Sequence, residues 1–289
     1  MTTPDLVGTG TLGDLTVHRL GYGAMQLAGP GVFGPPADPV EARAVLRRAV
    51  ELGVDHIDTS DFYGPFLVNE LLRDTLRPYP DELVLVTKVG ARRDAKGNWP
   101  HALSEADLRL AVDENLEHLG VDVLDVVNLR VGATEGPTPG SLAEPFGVLV
   151  DLQRAGKIRH LGVSNVSADQ LAEAQAIAPV VCVQNNFNVA HRGDAALVDS
   201  CAEQGIAYVP FFPLGGFSPV RGDPLTKVAE RHGVSTSQIA LAWLLQRSPT
   251  LLLVPGTRSR GHLEDNLGAG SVELSADDLA DLDALGSEA

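Results

Sequence analysis

The chain has 289 residues, of which 44% are hydrophobic and 21% charged, and its formal net charge at pH 7 is −16. This composition excludes intrinsic disorder, and the negative charge argues against nucleic acid or an anionic membrane as a partner. The first residues lack the basic and apolar regions of a signal peptide, and no apolar run reaches the roughly 20 residues that cross a bilayer. We therefore expect a cytoplasmic protein.

The predicted elements begin, in chain order, with a β-hairpin at residues 6–17, whose glycine-containing turns would let it plug one end of a barrel. After the hairpin, short runs rich in β-branched residues alternate with segments of helical periodicity. The runs predict eight strands, at residues 18–23, 54–59, 83–89, 121–129, 158–163, 180–185, 206–211 and 251–254. Helices between the strands indicate parallel pairing, because a parallel crossover needs about a dozen residues or more.

The helical segments carry recognisable start signals. Helical periodicity covers residues 39–52, and capping signatures open further helices at residues 104–107, 167–170 and 235–238. An extra C-terminal helix is predicted at residues 274–285. Eight strands without a break in composition predict one α/β domain over residues 1–289, folded as a (β/α)8 TIM barrel with an N-terminal hairpin plug.

Three other patterns argue weakly for different functions. Residues 8–13 match GxGxxG, but the dinucleotide fingerprint needs a preceding strand and a following helix, and the sequence that follows here is β-like. Residues 162–166 lack the second glycine of a nucleophile elbow. The eight histidines form no HxH or HxxxH pair, so we expect no metal site, and a metal-dependent hydrolase has little support. Cys182 and Cys201 lack CxxC spacing and are expected to be reduced thiols.

Functional side chains of a parallel barrel project from the C-terminal ends of its strands. Asp58 ends the second predicted barrel strand, Tyr63 lies in the loop that follows, and Lys88 lies near the end of the third strand. An unpaired buried charge is costly, so Asp58 is the natural partner of Lys88. A nearby ammonium favours phenolate, which predicts a Tyr63 pKa below its usual value of about 10. These residues alone leave open a structural ion pair beneath an aromatic ring.

Motifs along most of the chain resemble those of the aldo-keto reductase family. They are HIDTSDFYG, LVLVTKVG, LGVSNVSADQL, VQNNFN, VPFFPLGG and LLLVPGTRSRGHLEDN, in this order. The resemblance implies a barrel with a hairpin plug, NADPH as the cofactor, and reduction of a small aldehyde or ketone to the alcohol. It also implies that Tyr63 is the proton donor and that Asp58 and Lys88 are its catalytic partners.

The resemblance departs from the family's pattern at one catalytic position. The fourth catalytic residue of the family is usually a histidine at the end of the fourth strand, and this chain has Asn128 there. An amide can orient a carbonyl oxygen but cannot be protonated in place of an imidazole. The alternative function is therefore a cofactor-binding sensor or regulatory subunit of the same fold with little turnover.

The resemblance further implies a set of cofactor contacts at strand ends and loops. Around the nicotinamide they are Gly23, Ala24, Met25, Asp58, Ser164, Asn165, Gln184 and Phe211. Along the pyrophosphate and adenosine they are Leu214, Gly215, Gly216, Gly256, Thr257, Arg258, His262, Asp265 and Asn266. A cationic helix start at Thr257 and Arg258 suits a 2′-phosphate and so favours NADPH over NADH.

The predicted substrate pocket has Phe62, Trp99, Arg130 and the loop of residues 29–36 as its walls. Arg130 alternates with Asn128 and would face the same barrel mouth, although a salt bridge to a loop carboxylate is an equal alternative. The segments GYGAMQLAGPGVFGPP and LDVVNLR are similar to the bacterial pyridoxal-reductase branch of the family. That similarity implies pyridoxal as the substrate. The sequence makes no prediction of the oligomeric state.

Overall fold

The computed structural model describes residues 7–133 and 136–286. Its first elements are the antiparallel strands β1 (Thr9–Leu12) and β2 (Leu15–His18), which form the predicted hairpin; residue 6 of that prediction lies outside the described residues. Leu12 and Val17 are buried in one cluster with Val84 and Val86 of the barrel, so the hairpin closes that end of the barrel. The GxGxxG pattern lies in this hairpin and precedes no helix, which rules out a Rossmann site there.

Seven parallel strands follow in sequential order around the sheet. They are β3 (Tyr22–Gly23), β4 (His56–Asp58), β5 (Val84–Val89), β6 (Leu124–Arg130), β7 (Ile158–Ser164), β8 (Cys182–Gln184) and β9 (Ala207–Tyr208). The predicted eighth strand, residues 251–254, forms isolated parallel bridges instead of a regular strand. Leu251 pairs with Tyr208 and Leu253 pairs with Leu20, so these bridges join the last strand to the first and close the barrel. The fold class is confirmed, although several strands are shorter than predicted.

Ten α-helices surround the barrel in the described residues. They are α1 (Pro39–Glu51), α2 (Leu67–Leu76), α3 (Glu105–Leu119), α4 (Ala143–Arg154), α5 (Ala168–Ile177), α6 (Ala195–Gln204), α7 (Asp223–His232), α8 (Thr236–Arg247), α9 (Arg260–Leu267) and α10 (Ala276–Asp283). The predicted capping boxes at Ser167 and Ser235 are present, and Ser104 accepts a hydrogen bond from the backbone of Asp107. In the same described residues no helix combines the length and the apolarity that a membrane span requires.

Burial on both faces of the strands explains their near-continuous apolar sequence. All six residues of β5 are buried, and its side chains alternate between the plugged interior and the surrounding helices. Val84 and Val86 face the interior with the hairpin, whereas Leu85 and Val89 pack in the cluster that includes the helices. This alternation determines which polar residues at the strand ends face the barrel mouth.

Candidate active site

Lys88 continues the inward series of β5 and lies at the C-terminal end of the strand. Its Nζ donates to Asp58 Oδ1 at 2.6 Å and to the Thr59 carbonyl at 3.0 Å, and both side chains of the ion pair are buried. Gln184 Nε2 donates to the second oxygen of Asp58 at 2.8 Å. Burial alone would lower the pKa of Lys88, but Asp58 raises it, and the net shift is upward. Lys88 is therefore a charged ammonium at neutral pH.

Tyr63 lies in the loop after β4, and the Lys88 ammonium is 5.3 Å from the centre of its ring. Burial raises the pKa of Tyr63 by more than Lys88 lowers it, so this pKa stands above its ordinary value. The prediction of a lowered pKa is wrong for this structure, because the depth of burial that opposes ionisation is not visible in the sequence. Tyr63 is a neutral phenol with a proton to donate, and Lys88 is placed to stabilise the resulting phenolate.

Alkaline titration gives a test of this environment, because burial raises the pKa of all four tyrosines. For Tyr79 the value is about 12. An unfolded chain releases phenolic protons at about pH 10, whereas the folded protein retains them. The contribution of these groups to the free energy of unfolding is therefore fully present below pH 10 and is lost as the pH rises through the folded pKa values. Tyrosinate absorbance and denaturant unfolding measure both effects. Ionisation of any tyrosine of the folded protein below pH 10 would contradict the burial argument.

Two cavities meet at Tyr63 and Asp58. The larger, of about 380 Å³, includes seven residues predicted to contact a cofactor: Gly23, Met25, Asp58, Phe211, Leu214, Gly216 and Gly256. It also includes residues that sequence reasoning missed, among them Gln26, Phe212, Arg221, Thr236 and Ser237. Thr236 and Ser237 could have been identified from the sequence, because they directly follow Ser235, the predicted cap of α8, and a helix start is a common site for anions. The smaller cavity, of about 90 Å³, reaches Lys88, Gln184, Trp99 and Arg130.

Three predicted cofactor contacts present buried polar atoms that have no hydrogen-bond partner in the described residues. These atoms are Ser164 Oγ, Asn165 Oδ1 and Gln184 Oε1, at the ends of β7 and β8. An unpartnered buried polar atom costs free energy, so a group that supplies the missing partners is expected there. An amide, which both donates and accepts hydrogen bonds, matches this set. The residues present therefore fit the carboxamide of a nicotinamide.

Asn128 is fully buried and pairs in register with Lys88 across β5 and β6. Its Oδ1 accepts a hydrogen bond from Cys182 Sγ at 3.2 Å, and its Nδ2 has no partner in the described residues. Gly162 makes room for this pair, because a Cβ at that position would clash with Asn128 Oδ1. Sequence reasoning predicted Asn128 at the substrate oxygen, and that role stays a prediction.

The predicted adenosine side lies around the start of α9. Ser259 caps this helix, Arg258 is exposed just before it, and Thr257 is buried, with its carbonyl accepting from Tyr22 Oη at 2.6 Å. His262 is exposed in the first turn of the helix, and Asn266 is buried. Asp265 accepts a hydrogen bond from Ser235 Oγ at 2.7 Å, which joins α9 to the start of α8. Leu214, Gly215 and Gly216 lie together in the loop before α7. Ala24 is buried next to Gly23.

The predicted substrate walls meet at Trp99. Its ring makes edge contacts with Phe62 and Tyr63, with ring centres 5.9 and 6.5 Å apart, and the Arg130 guanidinium lies 6.0 Å from its centre. Arg93, which sequence reasoning missed, lies 4.0 Å from the same ring. Trp99 and Arg130 also line a further cavity of about 300 Å³ that extends away from Tyr63. The loop of residues 29–36 reaches this region through Phe33, whose ring contacts Arg93.

The parallel barrel has a neutral tyrosine beside a buried lysine–aspartate pair at its strand ends. This arrangement suits an oxidoreductase that protonates its substrate. The sequence matches the Aldo/keto reductase family over residues 19–287, and the chain belongs to that family. It is 55% identical to pyridoxine 4-dehydrogenase of Escherichia coli over 282 residues, which cover 97% of this chain and 99% of that protein. It is 38% identical to an uncharacterized oxidoreductase of Schizosaccharomyces pombe, over 96% of this chain and 90% of that protein.

Solved structures share the same fold. A thermostable aldo-keto reductase in complex with the inhibitor epalrestat has a TM-score of 0.81 and 28% identity, with 96% of this chain and 99% of that chain covered. An aldo-keto reductase from Klebsiella pneumoniae in complex with NADPH also has a TM-score of 0.81, at 24% identity, over 99% of this chain and 95% of that chain. These likenesses agree with the barrel and hairpin described above.

Proposed function

We propose that this protein is an NADPH-dependent reductase of small aldehydes or ketones. The observation that carries the proposal is the neutral Tyr63 phenol beside the buried Asp58–Lys88 pair, at the junction of two cavities. A proton donor positioned in this way serves carbonyl reduction, in which the oxygen must gain a proton. The test is NADPH consumption with a panel of aldehydes. Tight NADPH binding without consumption for any aldehyde would favour the alternative, a cofactor-binding sensor or regulatory subunit.

The proposed mechanism assigns a distinct role to each residue of the group. The bound cofactor supplies a hydride to the carbonyl carbon. Tyr63 donates its phenolic proton to the carbonyl oxygen, which yields the alcohol and leaves a phenolate, and water later returns the proton. The Lys88 ammonium stabilises that phenolate, and Asp58 holds Lys88 in place and charged. The Nδ2 of Asn128, which has no partner in the described residues, would donate a hydrogen bond to the substrate oxygen.

The residues that would hold NADPH extend from the ends of β7 and β8 along the larger cavity to the start of α9. Ser164, Asn165 and Gln184 would bind the nicotinamide amide, supported by their three unpartnered buried atoms. Phe211 would stack on the ring, residues 214–216 would approach the pyrophosphate, and the start of α9 would take the 2′-phosphate.

Free, buried thiols at Cys182 and Cys201 support a cytoplasmic location for this chemistry.

NADPH is expected to bind at least about tenfold more tightly than NADH, a difference of about 1.4 kcal/mol. The reason is that exposed Arg258, just before α9, offers a cation to a phosphate in an otherwise acidic protein. Arg258→Ala should reduce the preference by about 1–2 kcal/mol, as measured by calorimetric titration of both cofactors. Arg154→Ala, which removes an exposed arginine at the end of α4, serves as the control. Equal affinities of the parent protein for the two cofactors would rule out this phosphate site.

We further propose pyridoxal as a substrate, reduced to pyridoxine. The 55% identity to pyridoxine 4-dehydrogenase of Escherichia coli, over nearly the full length of both chains, supports this choice. The site has suitable chemistry, because aromatic side chains line the smaller cavity and Arg130 offers a cation to the polar substituents of a flat ring. Any compact aldehyde could enter the same cavity, so the ring substituents are what a test must address.

A comparison of pyridoxal with benzaldehyde addresses these substituents directly. The parent protein should favour pyridoxal in kcat/KM by more than about tenfold, because the stripped analogue leaves buried polar groups of the site unpaired. Steady-state kinetics with both aldehydes at saturating NADPH gives the ratio. Equal kcat/KM values would indicate a general aldehyde reductase, in which the Tyr63 chemistry is retained but pyridoxal recognition is absent.

A further inference from the structure

The loop that carries Tyr63 is attached to its surroundings by backbone hydrogen bonds, because Thr59 N donates to Val86 O of β5 at 2.8 Å and Gly64 N donates to Val32 O at 3.3 Å. Residues 59–66 connect β4 to α2, and Phe66 has a φ of 65°, in the left-handed region that side chains disfavour. Backbone hydrogen bonds join Phe66 N to Asp61 O at 2.9 Å and Tyr63 N to Ser60 O at 3.1 Å. These bonds fix the shape of the loop. Both partners of each of these two bonds lie within the loop, so the position of its middle part relative to Lys88 depends on other contacts.

One buried amide, Asn69, joins this loop to the elements on either side. Asn69 lies in the first turn of α2, and its Nδ2 donates to Asp61 Oδ1 at 2.7 Å and to Asn115 Oδ1 of α3 at 3.1 Å. Its Oδ1 accepts from Thr59 Oγ1 at 2.7 Å. Asn69, Thr59 and Asn115 are completely buried, and Asp61 is nearly so. One side chain therefore contacts the first residue of the loop, its middle part and a neighbouring helix.

Two of these partners lead directly to Lys88. The Thr59 carbonyl accepts a hydrogen bond from Lys88 Nζ at 3.0 Å. Asn115 Oδ1 also accepts from Thr87 Oγ1 at 2.6 Å, and Thr87 precedes Lys88 in β5. Asn69 thus connects the loop of Tyr63 both to the group that binds the lysine and to the strand that carries it.

The outer end of the same network is anchored at α3. Asp61 Oδ2 lies 3.0 Å from His118 Nδ1, and the ring of Phe66 packs on the His118 ring with centres 4.6 Å apart. Both oxygens of Asp61 are therefore engaged, one by Asn69 and one by His118. Because Asp61 lies two residues before Tyr63, its fixed position limits where the tyrosine can lie.

We propose that Asn69 is a positioning residue for carbonyl reduction, which holds the Tyr63 loop against the strand that carries Lys88. The role rests on the function proposed above, since it acts through the proton donor. Replacement of Asn69 by an apolar side chain would leave Thr59, Asp61 and Asn115 with missing partners inside the protein. The loop would then settle in a different position, and the Tyr63 hydroxyl would move away from the ammonium and the substrate.

The test is Asn69→Leu, made in the parent and in a Tyr63→Phe background. In the parent, kcat for an aldehyde should fall by about ten- to 100-fold, as small displacements of a reacting group can cause, while the Kd for NADPH stays within about twofold. In the Tyr63→Phe background the same substitution should change the residual rate by less than about twofold, because the hydroxyl that it positions is already absent. Equal losses in both backgrounds would overturn the positioning role.

Gln170→Met is the matched control. Gln170 is also a buried amide with three hydrogen bonds, to Thr138 O, Gly140 O and Ser167 N, but it belongs to α5. It should lower the melting temperature like Asn69→Leu and leave kcat within about twofold of the parent. A loss of kcat as large as that of Asn69→Leu would also overturn the role.

A milder variant covers the case in which Asn69→Leu does not fold. Thr59→Val removes the hydroxyl that donates to Asn69 and keeps the carbonyl that binds Lys88. It should lower kcat by about threefold or more in the parent, beyond the scatter of independent sites, and by less than about twofold beside Tyr63→Phe. Equal effects in both backgrounds would refute the role. A parent that consumes no NADPH with any aldehyde would instead overturn the proposed function itself.

Discussion

Replacement of Tyr63 by phenylalanine is expected to lower kcat for aldehyde reduction by about 10²–10⁴-fold, the usual contribution of a positioned general acid. The substitution removes one oxygen atom from a buried ring and leaves the Asp58–Lys88 pair intact. The Kd for NADPH should change little, because the three unpartnered atoms that fit the nicotinamide amide belong to other strands. Steady-state kinetics and fluorescence titration with NADPH give the two quantities.

Tyr79→Phe is the control for the loss of a phenolic hydroxyl. Tyr79 is half-buried, and its hydroxyl donates to the Leu119 carbonyl at 2.8 Å, at the end of α3. The control should cost about 1 kcal/mol of stability, the typical net value of one hydrogen bond, without a matching loss of kcat. If Tyr63→Phe retained kcat within about threefold of the parent, well short of a general acid's contribution, Tyr63 could not be the proton donor.

Replacement of Lys88 by methionine is expected to lower the free energy of unfolding by about 3–5 kcal/mol, because it leaves the Asp58 carboxylate buried without its cation. Among the residues that the structure describes, Gln184 would remain as the donor to that carboxylate. Activity should fall as well, since no ammonium would stabilise the Tyr63 phenolate. Urea unfolding of the parent and the variant measures the first effect, and NADPH consumption measures the second.

Two further variants separate the effect of burying an unpaired charge from the mere loss of a lysine. Lys157→Met removes a lysine from an exposed pair with Asp113 and should change stability by about 1 kcal/mol or less. The double variant Asp58→Asn with Lys88→Met removes both charges and should recover a substantial part of the stability, because no unpaired charge remains. A Lys88→Met variant no less stable than Lys157→Met would show that the pair is not desolvated as described.

Local patterns predicted the parts of the fold that depend on neighbours in sequence. The serine caps at residues 167 and 235 begin helices as expected, and Lys88 lies near the C-terminal end of β5, as predicted. The predicted barrel strands at residues 18–23, 206–211 and 251–254 were less accurate. The first two are reduced to Tyr22–Gly23 and Ala207–Tyr208, and the third forms isolated bridges at Leu251 and Leu253. The extent of pairing there depends on the closure of the barrel, which a single segment does not encode.

Some features of the active site were also predicted from the sequence, and others were not. The spacing of the motifs predicted that Asp58, Tyr63 and Lys88 lie together. The predicted direction of the Tyr63 pKa shift was wrong, because this shift depends on how completely the ring is buried. Asn69 and Asn115 escaped notice, because polar residues within amphipathic helices look like ordinary surface positions in sequence. Their role emerges only when α2, α3 and the Tyr63 loop lie side by side.

The hairpin of β1 and β2 leaves the barrel with a single open end. The two cavities at that end share Met25, Asp58, Tyr63, Phe211 and Phe212, so a cofactor and a carbonyl compound bound in them would be direct neighbours. We expect a molecule bound in one cavity to obstruct entry to the other, so that arrival and departure take place in sequence. A turnover number measured at saturation then contains the time that one molecule waits for another to leave, in addition to the time taken by bond making and breaking.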